Sequence, residues 1–190
     1  MKKYELVLVM DPAISDADRK SLLGDIQKSI SDWEVESTDD IGIMNLKYDL
    51  WQVTWKNRAY FVSLLLELGE DAVNDLRKFL LYNKNIFRYQ LFVLWKNDQF
   101  VAFADIHKEL ETIIDARKDT KFGQKVTFYS HKDNQKYITW KALPMLAKYL
   151  TRFGDIKPRK YTDNNIWTQK KVREAIIRSR ELGLLDYIRS

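Results

Sequence analysis

The chain has 190 residues, 45% hydrophobic and 13% aromatic, enough for one large or two small packed cores and too much for general disorder. It contains no cysteine, which excludes disulfides, thiolate metal sites and cysteine nucleophiles and suits a reducing cytoplasm. Its net charge of +5 is uneven: residues 137–190 hold 12 Lys/Arg against 5 Asp/Glu, whereas residues 1–95 hold 12 against 15. Such a localised C-terminal excess points to a polyanion such as nucleic acid; the competing explanation is that the cations merely solubilise a small helical module.

Lys2-Lys3 leads directly into a strand-like stretch with no apolar signal core, and no apolar run is long enough to span a bilayer. A soluble, unexported, cytoplasmic protein with no membrane partner is expected. The apolar, β-branched run Tyr4 to Met10 predicts a buried strand, ended by Asp11-Pro12. Ser15 is a cap for a helix over Asp16 to Trp33, whose buried stripe is Leu22, Leu23, Ile26, Ile30 and Trp33. Val35 to Leu50 and Ala59 to Leu68 predict an antiparallel pair with Trp51 to Arg58 as its loop, and Gly42 marks a bulge or a close backbone approach. Glu70 and Asp71 open a second helix with Val73, Leu76, Phe79 and Leu80 on its buried face, and Ile86 to Trp95 closes as a fourth strand. Strand, helix, strand, strand, helix, strand is the ferredoxin-like split βαβ order, an α+β fold that names no function by itself.

In the middle segment, Phe103, Ile106, Leu110, Ile113 and Ile114 predict a helix from about Ala102 to Arg117. Further on, Leu143, Leu146, Tyr149 and Leu150 recur at helical spacing, so a helix is expected over Trp140 to Phe153, with Pro144 in its first turn and Gly154 at its end. Lys157-Pro158-Arg159-Lys160 is expected to form a stiff basic loop. Asn165 caps a last helix, Ile166 to Leu182, which Gly183 ends. On that helix Val172, Ala175, Ile176, Ser179 and Leu182 gather on one side. Arg173 and Arg180, with Lys170 nearby, flank this stripe on one side, Lys171 and Arg178 on the other, and Glu174 and Glu181 occupy the arc between. Intrahelical Glu–Arg pairing accounts for part of the pattern.

Two resemblances then emerge. Lys3-Tyr4-Glu5, the stretch from Gly42 through Leu46-Lys47-Tyr48-Asp49-Leu50, Tyr60-Phe61, and Glu70-Asp71 with Val73-Asn74-Asp75-Leu76 resemble bacterial small-subunit ribosomal protein S6 over residues 1–95. Ile138 to Tyr187 resembles ribosomal protein S18 without a gap, through Gly154, Ile156, Pro158-Arg159-Lys160, Thr162, Gln169-Lys170-Lys171, Ala175-Ile176 and Arg178 to Leu185. Lys121 to Tyr129, with Lys125, Phe128 and Tyr129, is similar to the basic-aromatic arm preceding that core. Asp163 departs from the family's glycine, Glu174 and Ile177 sit where basic residues are common, and Pro144 is unusual.

The resemblance implies a natural fusion, with residues 1–95 as a ferredoxin-like domain, 96–120 as a partly helical linker, and 121–190 as a basic arm and small all-α helical module. It implies a structural constituent of the small ribosomal subunit on the ribosome's platform, with small-subunit rRNA and neighbouring small-subunit proteins as partners, and with the two halves pairing in one chain. Lys125, Lys157, Arg159, Lys160, Lys170, Lys171, Arg173, Arg178 and Arg180 are the expected RNA-binding residues. An edge strand carrying Ile41, Ile43, Asn45 and Lys47 is the expected surface on which the halves dock. Covalent linkage would replace a bimolecular pairing with an effective concentration on the order of mM.

Two other readings compete. An RNA-recognition motif, binding single-stranded RNA outside the ribosome, would place Tyr60 and Phe61 on an exposed stacking strand; they read better as core or interface residues. An enzyme would need His107 or His131 in a base or metal motif, and neither has one, so both read as surface histidines. Trp167, near the start of the basic helix, is the aromatic residue best placed for an RNA or protein contact. No cofactor, metal or small-molecule substrate is expected.

Overall fold

In the computed structural model, which describes residues 2–29, 34–48, 57–94, 98–115 and 126–187, strand β1 (Lys2–Met10) is central to a four-stranded sheet. It runs antiparallel to β3 (Arg58–Leu68) on one side and β4 (Ile86–Val93) on the other, and β2 (Glu34–Asn45) pairs with β3 at the edge. The sheet order is β2-β3-β1-β4. Helices α1 (Asp16–Ser29) and α2 (Glu70–Leu81) follow β1 and β3, giving the ferredoxin-like arrangement. Strand side chains alternate between faces, so Tyr4, Leu6, Leu8 and Met10 enter one core with Leu22 and Ile26 of α1 and Val73, Leu76 and Leu80 of α2. Val7 and Val9 on the opposite face are buried too, which is why β1 reads as a continuous apolar run rather than an alternating one. Glu5 shares that second face, and its carboxylate accepts a 2.8 Å bond from the buried Ser63 hydroxyl.

Local signals set several boundaries. Ser15 Oγ accepts from the Asp18 amide at 3.2 Å and donates to the Asp18 carboxylate at 2.7 Å, capping α1. The helix spans Asp16–Ser29; Ile30 and Trp33, assigned to its stripe, lie outside the described residues. Gly42 takes φ 88° where the β2–β3 register shifts, so the expected bulge needs the left-handed backbone that glycine tolerates. β2 ends at Asn45, and after one further bond, Leu46 N–H to the Asn57 carbonyl at 2.8 Å, the chain bends. Lys47 therefore sits past the edge strand that carries Ile41, Ile43 and Asn45. Arg58, expected in the loop, opens β3 instead.

The chain divides into two compact units, Met1–Phe100 and Val101–Ser190. The second contains α3 (Phe103–Asp115), 3-10 turns over Phe128–Ser130 and Lys132–Tyr137, α4 (Leu143–Lys148), α5 (Arg159–Thr162) and α6 (Ile166–Glu181). Its core takes Ile106 and Leu110 from α3, Phe128 and Tyr129 from the first turn, Met145 and Leu146 from α4, and Val172, Ala175 and Ile176 from α6. The helix expected inside a linker over 96–120 is thus part of this core, because its apolar stripe has a surface to bury against. Three polar contacts fasten it. Lys141, only 1% exposed, donates to the Val101 carbonyl at 3.0 Å; His107 Nε2 lies 3.2 Å from the Lys141 carbonyl; and the Tyr137 hydroxyl bonds the Glu109 carboxylate.

The helix expected over Trp140 to Phe153 is much shorter. α4 carries Pro144 in its first turn but stops at Lys148. Thr151 takes over the backbone there: its hydroxyl accepts from the Phe153 and Asp155 amides at 3.3 and 3.1 Å, and its own amide donates to the Asp155 carbonyl at 2.7 Å. Gly154, at φ 94°, closes this turn and lets Leu150 pair with Ile156. The aromatic end of the expected arm is core as well. The Tyr129 and Tyr149 rings lie 5.0 Å apart, and the Tyr129 amide donates to the Tyr149 hydroxyl at 2.9 Å.

Candidate nucleic-acid interface

Helix α6 is built as its sequence requires. Asn165 Oδ1 accepts from the Thr168 amide at 2.7 Å, satisfying one orphan donor of the first turn. Val172, Ala175, Ile176, Ser179 and Leu182 are buried, so the stripe read from periodicity is the packed face. The buried Ser179 hydroxyl lies 2.9 Å from both the Trp140 and Ala175 carbonyls. At the other end Gly183, at φ 80°, donates to the Arg180 carbonyl and Leu184 to that of Ser179, both at 2.9 Å, a Schellman closure.

Short helix α5 is held against α6 by Gln169. The Gln169 side-chain oxygen accepts from Thr162 and Asn164 at 3.0 Å each, and its amide donates to the Lys157 carbonyl at 2.9 Å. Thr162 and Asn164 are buried. The basic segment is thus a one-turn helix after Pro158, not an irregular loop. Asp163, standing where the resembled family has glycine, still takes the left-handed conformation, φ 50°, and donates its amide to the Arg159 carbonyl. The clamp residues Thr162, Asn164 and Gln169 were not singled out as functional; a polar run beside a capped, basic helix was the available signal.

The basic residues then separate by use. Lys160 is exposed on α5, and Lys170, Lys171 and Arg173 are exposed on the first half of α6. Arg159 is exposed while its Nε donates to the Asn164 carbonyl at 3.0 Å, and Lys157 Nζ donates to the Lys148 carbonyl at 2.8 Å. Arg178 is paired with Glu174 at 2.6 Å. Arg180 is committed to the fold: its Nε donates to the Asp186 carbonyl at 3.0 Å, a second nitrogen to the Gly154 carbonyl, and its guanidinium lies 5.5 Å from the Tyr187 ring. Lys125 lies outside the described residues. Cations that share one helix in sequence therefore divide into an N-terminal group presented outward and, further on, Arg178 paired within the helix and Arg180 bonded to other segments of the fold.

Other candidates fall into place. Tyr60 is half-buried, with Arg19 3.9 Å from its ring centroid and its hydroxyl donating to Asp40 at 2.9 Å; Phe61 is buried. Burial, then the Asp40 bond, raises the Tyr60 phenol above its ordinary value of 10.0. Neither ring forms an open stacking strand. His131 is exposed, but His107 is half-buried and stacked on Phe103 at 4.0 Å, so the expectation of a surface histidine is corrected there. Among the described residues no group of three or more His, Asp or Glu could hold a metal ion, and no helix is long and apolar enough to cross a membrane.

Comparison with known proteins separates the same two regions. A family model described as Ribosomal protein S6 matches residues 3–92, and one described as Ribosomal protein S18 matches residues 134–185. The chain is 37% identical over 71 residues to "Small ribosomal subunit protein bS18" of Mycoplasma capricolum, an alignment covering 37% of this chain and 93% of that protein. It is 33% identical over 72 residues to the protein of that name from Mesoplasma florum, covering 38% and 93%, and 39% identical over 57 residues to that of Parabacteroides distasonis, covering 30% and 64%. The crystal structure of 30S ribosomal protein S6 from Thermotoga maritima superposes with a TM-score of 0.44 at 16% identity, covering 60% of this chain and 97% of that one.

Proposed function

The chain belongs to the ribosomal protein S18 family through its C-terminal half, which it carries fused to a ribosomal protein S6 domain, and from that premise we propose that it binds small-subunit rRNA through α5 and α6. Its role is that of a structural protein of the small ribosomal subunit. Both families point to a non-catalytic function.

One observation carries the RNA-binding reading: Arg159, Lys160, Lys170, Lys171 and Arg173 are exposed on two helices that Gln169 clamps together, within the S18-like segment. Helices held against each other present their cations to phosphate without ordering the backbone on binding, and arginine adds bidentate geometry. Folded RNA is recognised largely through its backbone and shape, which suits such a surface. Lys157, Arg178 and Arg180, half-buried and bonded within the chain, are assigned supporting roles; Lys125 is retained as an arm residue. The ribosome, cytoplasmic in bacteria, is the proposed location, and neighbouring small-subunit proteins are the remaining partners.

Salt titration of the chain on small-subunit rRNA tests this. With about five phosphates contacted, affinity falls on the order of 100- to 1,000-fold between roughly 50 and 200 mM salt. An association insensitive to salt would refute it.

A further inference from the structure

Trp167 leaves 76% of its surface exposed and Ile166 beside it 67%, on a helix whose opposite face is fully packed. The indole therefore has no part in the core. At about 100° per residue, Trp167 lies between Lys170 and Lys171 on the outer arc of α6, one turn before them. Residues three and four apart on a helix have Cβ atoms about 5–6 Å apart, a span comparable to that from a base to the phosphate of its own nucleotide. No acidic side chain occurs in the first turn of α6, and the first acidic residue of the helix, Glu174, is held by Arg178. A ring standing among cations suits a partner that alternates flat apolar surfaces with negative charge.

We propose that Trp167 is a base-stacking residue, receiving the face of an unpaired RNA base while Lys170 and Lys171 hold the adjoining phosphates. The inference rests on the RNA-binding reading above and adds what phosphate contact cannot supply: a preference for unpaired nucleotides. Aromatic stacking is tolerant of base identity, so the selection is for an unstacked nucleotide rather than for a sequence.

The test uses the full-length chain, a small-subunit rRNA transcribed in vitro, and a fully paired RNA duplex as control, each titrated across salt. Trp167→Ala is expected to weaken rRNA binding about 5- to 100-fold with an unchanged salt slope, while Trp167→Phe retains most of the affinity. Lys170→Ala is expected to lower the slope by about 0.7–0.9. On the duplex, Trp167→Ala should match the wild type. Because the side chain is exposed, an unchanged thermal midpoint for both Trp167 variants checks that the fold is intact. Unaltered rRNA affinity in Trp167→Ala overturns the proposal, including the case in which only association with other small-subunit proteins is lost; so does an equal loss on duplex. A wild-type chain that fails to bind rRNA in a salt-dependent way overturns the underlying reading instead, a distinguishable result.

Discussion

Leu110→Ala is the sharpest test of whether the segment between the two family matches is structure or tether. Leu110 is fully buried in the second core, on a helix outside residues 3–92 and 134–185. Removing three carbons at about 0.8 kcal/mol each forfeits roughly 2.4 kcal/mol of burial, and a partly collapsed cavity brings the total to about 3 kcal/mol, within the usual 2–5. For a unit of this size that corresponds to a fall in thermal midpoint of about 12–24 °C. The assay is urea-dependent hydrogen exchange read by mass spectrometry on peptides from α6 and from β1 separately, so that each unit reports on itself. Protection in α6 should collapse at lower urea while β1 is unaffected. Lys108→Ala, at an exposed position on the same helix, should stay within about 0.5 kcal/mol. An α6 transition in Leu110→Ala equal to that of the wild type would refute the reasoning and return α3 to the status of a tether.

Arg180→Ala should lower the stability of the second unit by about 2 kcal/mol through its lost carbonyl contacts, with little change in the salt slope of RNA binding, while Lys170→Ala should do the reverse; urea midpoints and salt titrations of both variants check this. Alkaline unfolding follows from Tyr129, whose phenol is held well above its ordinary value of 10.0 by burial first and by the neighbouring Tyr149 second. Unfolded tyrosine ionises near that ordinary value, so the contribution is intact below about pH 10 and is lost as pH rises from there toward the folded value. Urea midpoints of the second unit should fall above pH 10, and Tyr129→Phe should reduce that slope while costing about 1 kcal/mol at neutral pH for the bond to the Tyr137 carbonyl. Ile41, Ile43 and Asn45 lie on edge strand β2, which we propose as the surface for strand addition by the basic arm or the linker. Their amides should exchange more slowly in the full-length chain than in an isolated first unit; equal rates would remove that docking proposal.

Much of α6 was legible before any coordinates. Asn165, the spacing of Val172, Ala175, Ile176, Ser179 and Leu182, and Gly183 are cues that act within one helix, and each occupies the position its chemistry predicts. The same holds for the cap at Ser15 and the bulge at Gly42. The early end of α4 escaped the reading because Leu150 keeps the helical spacing although the backbone has already turned: Thr151 and Gly154 redirect it, and the Lys157 amide returns to the Tyr149 carbonyl at 2.8 Å. Lys141 escaped altogether, since a lysine in sequence reads as solvent-facing, whereas the Val101 carbonyl that its ammonium meets lies 40 residues away.

The sequence by itself determined the order of elements in the first unit, the two-part charge distribution and the pair of family resemblances, because helix caps, side-chain periodicity and local charge depend on residues a few positions apart. Tertiary structure decided which cations are presented outward and which are drawn into the fold. Arg180 meets Gly154 across 26 positions and α3 meets Lys141 across 34, and no local pattern encodes a contact between segments so far apart along the chain.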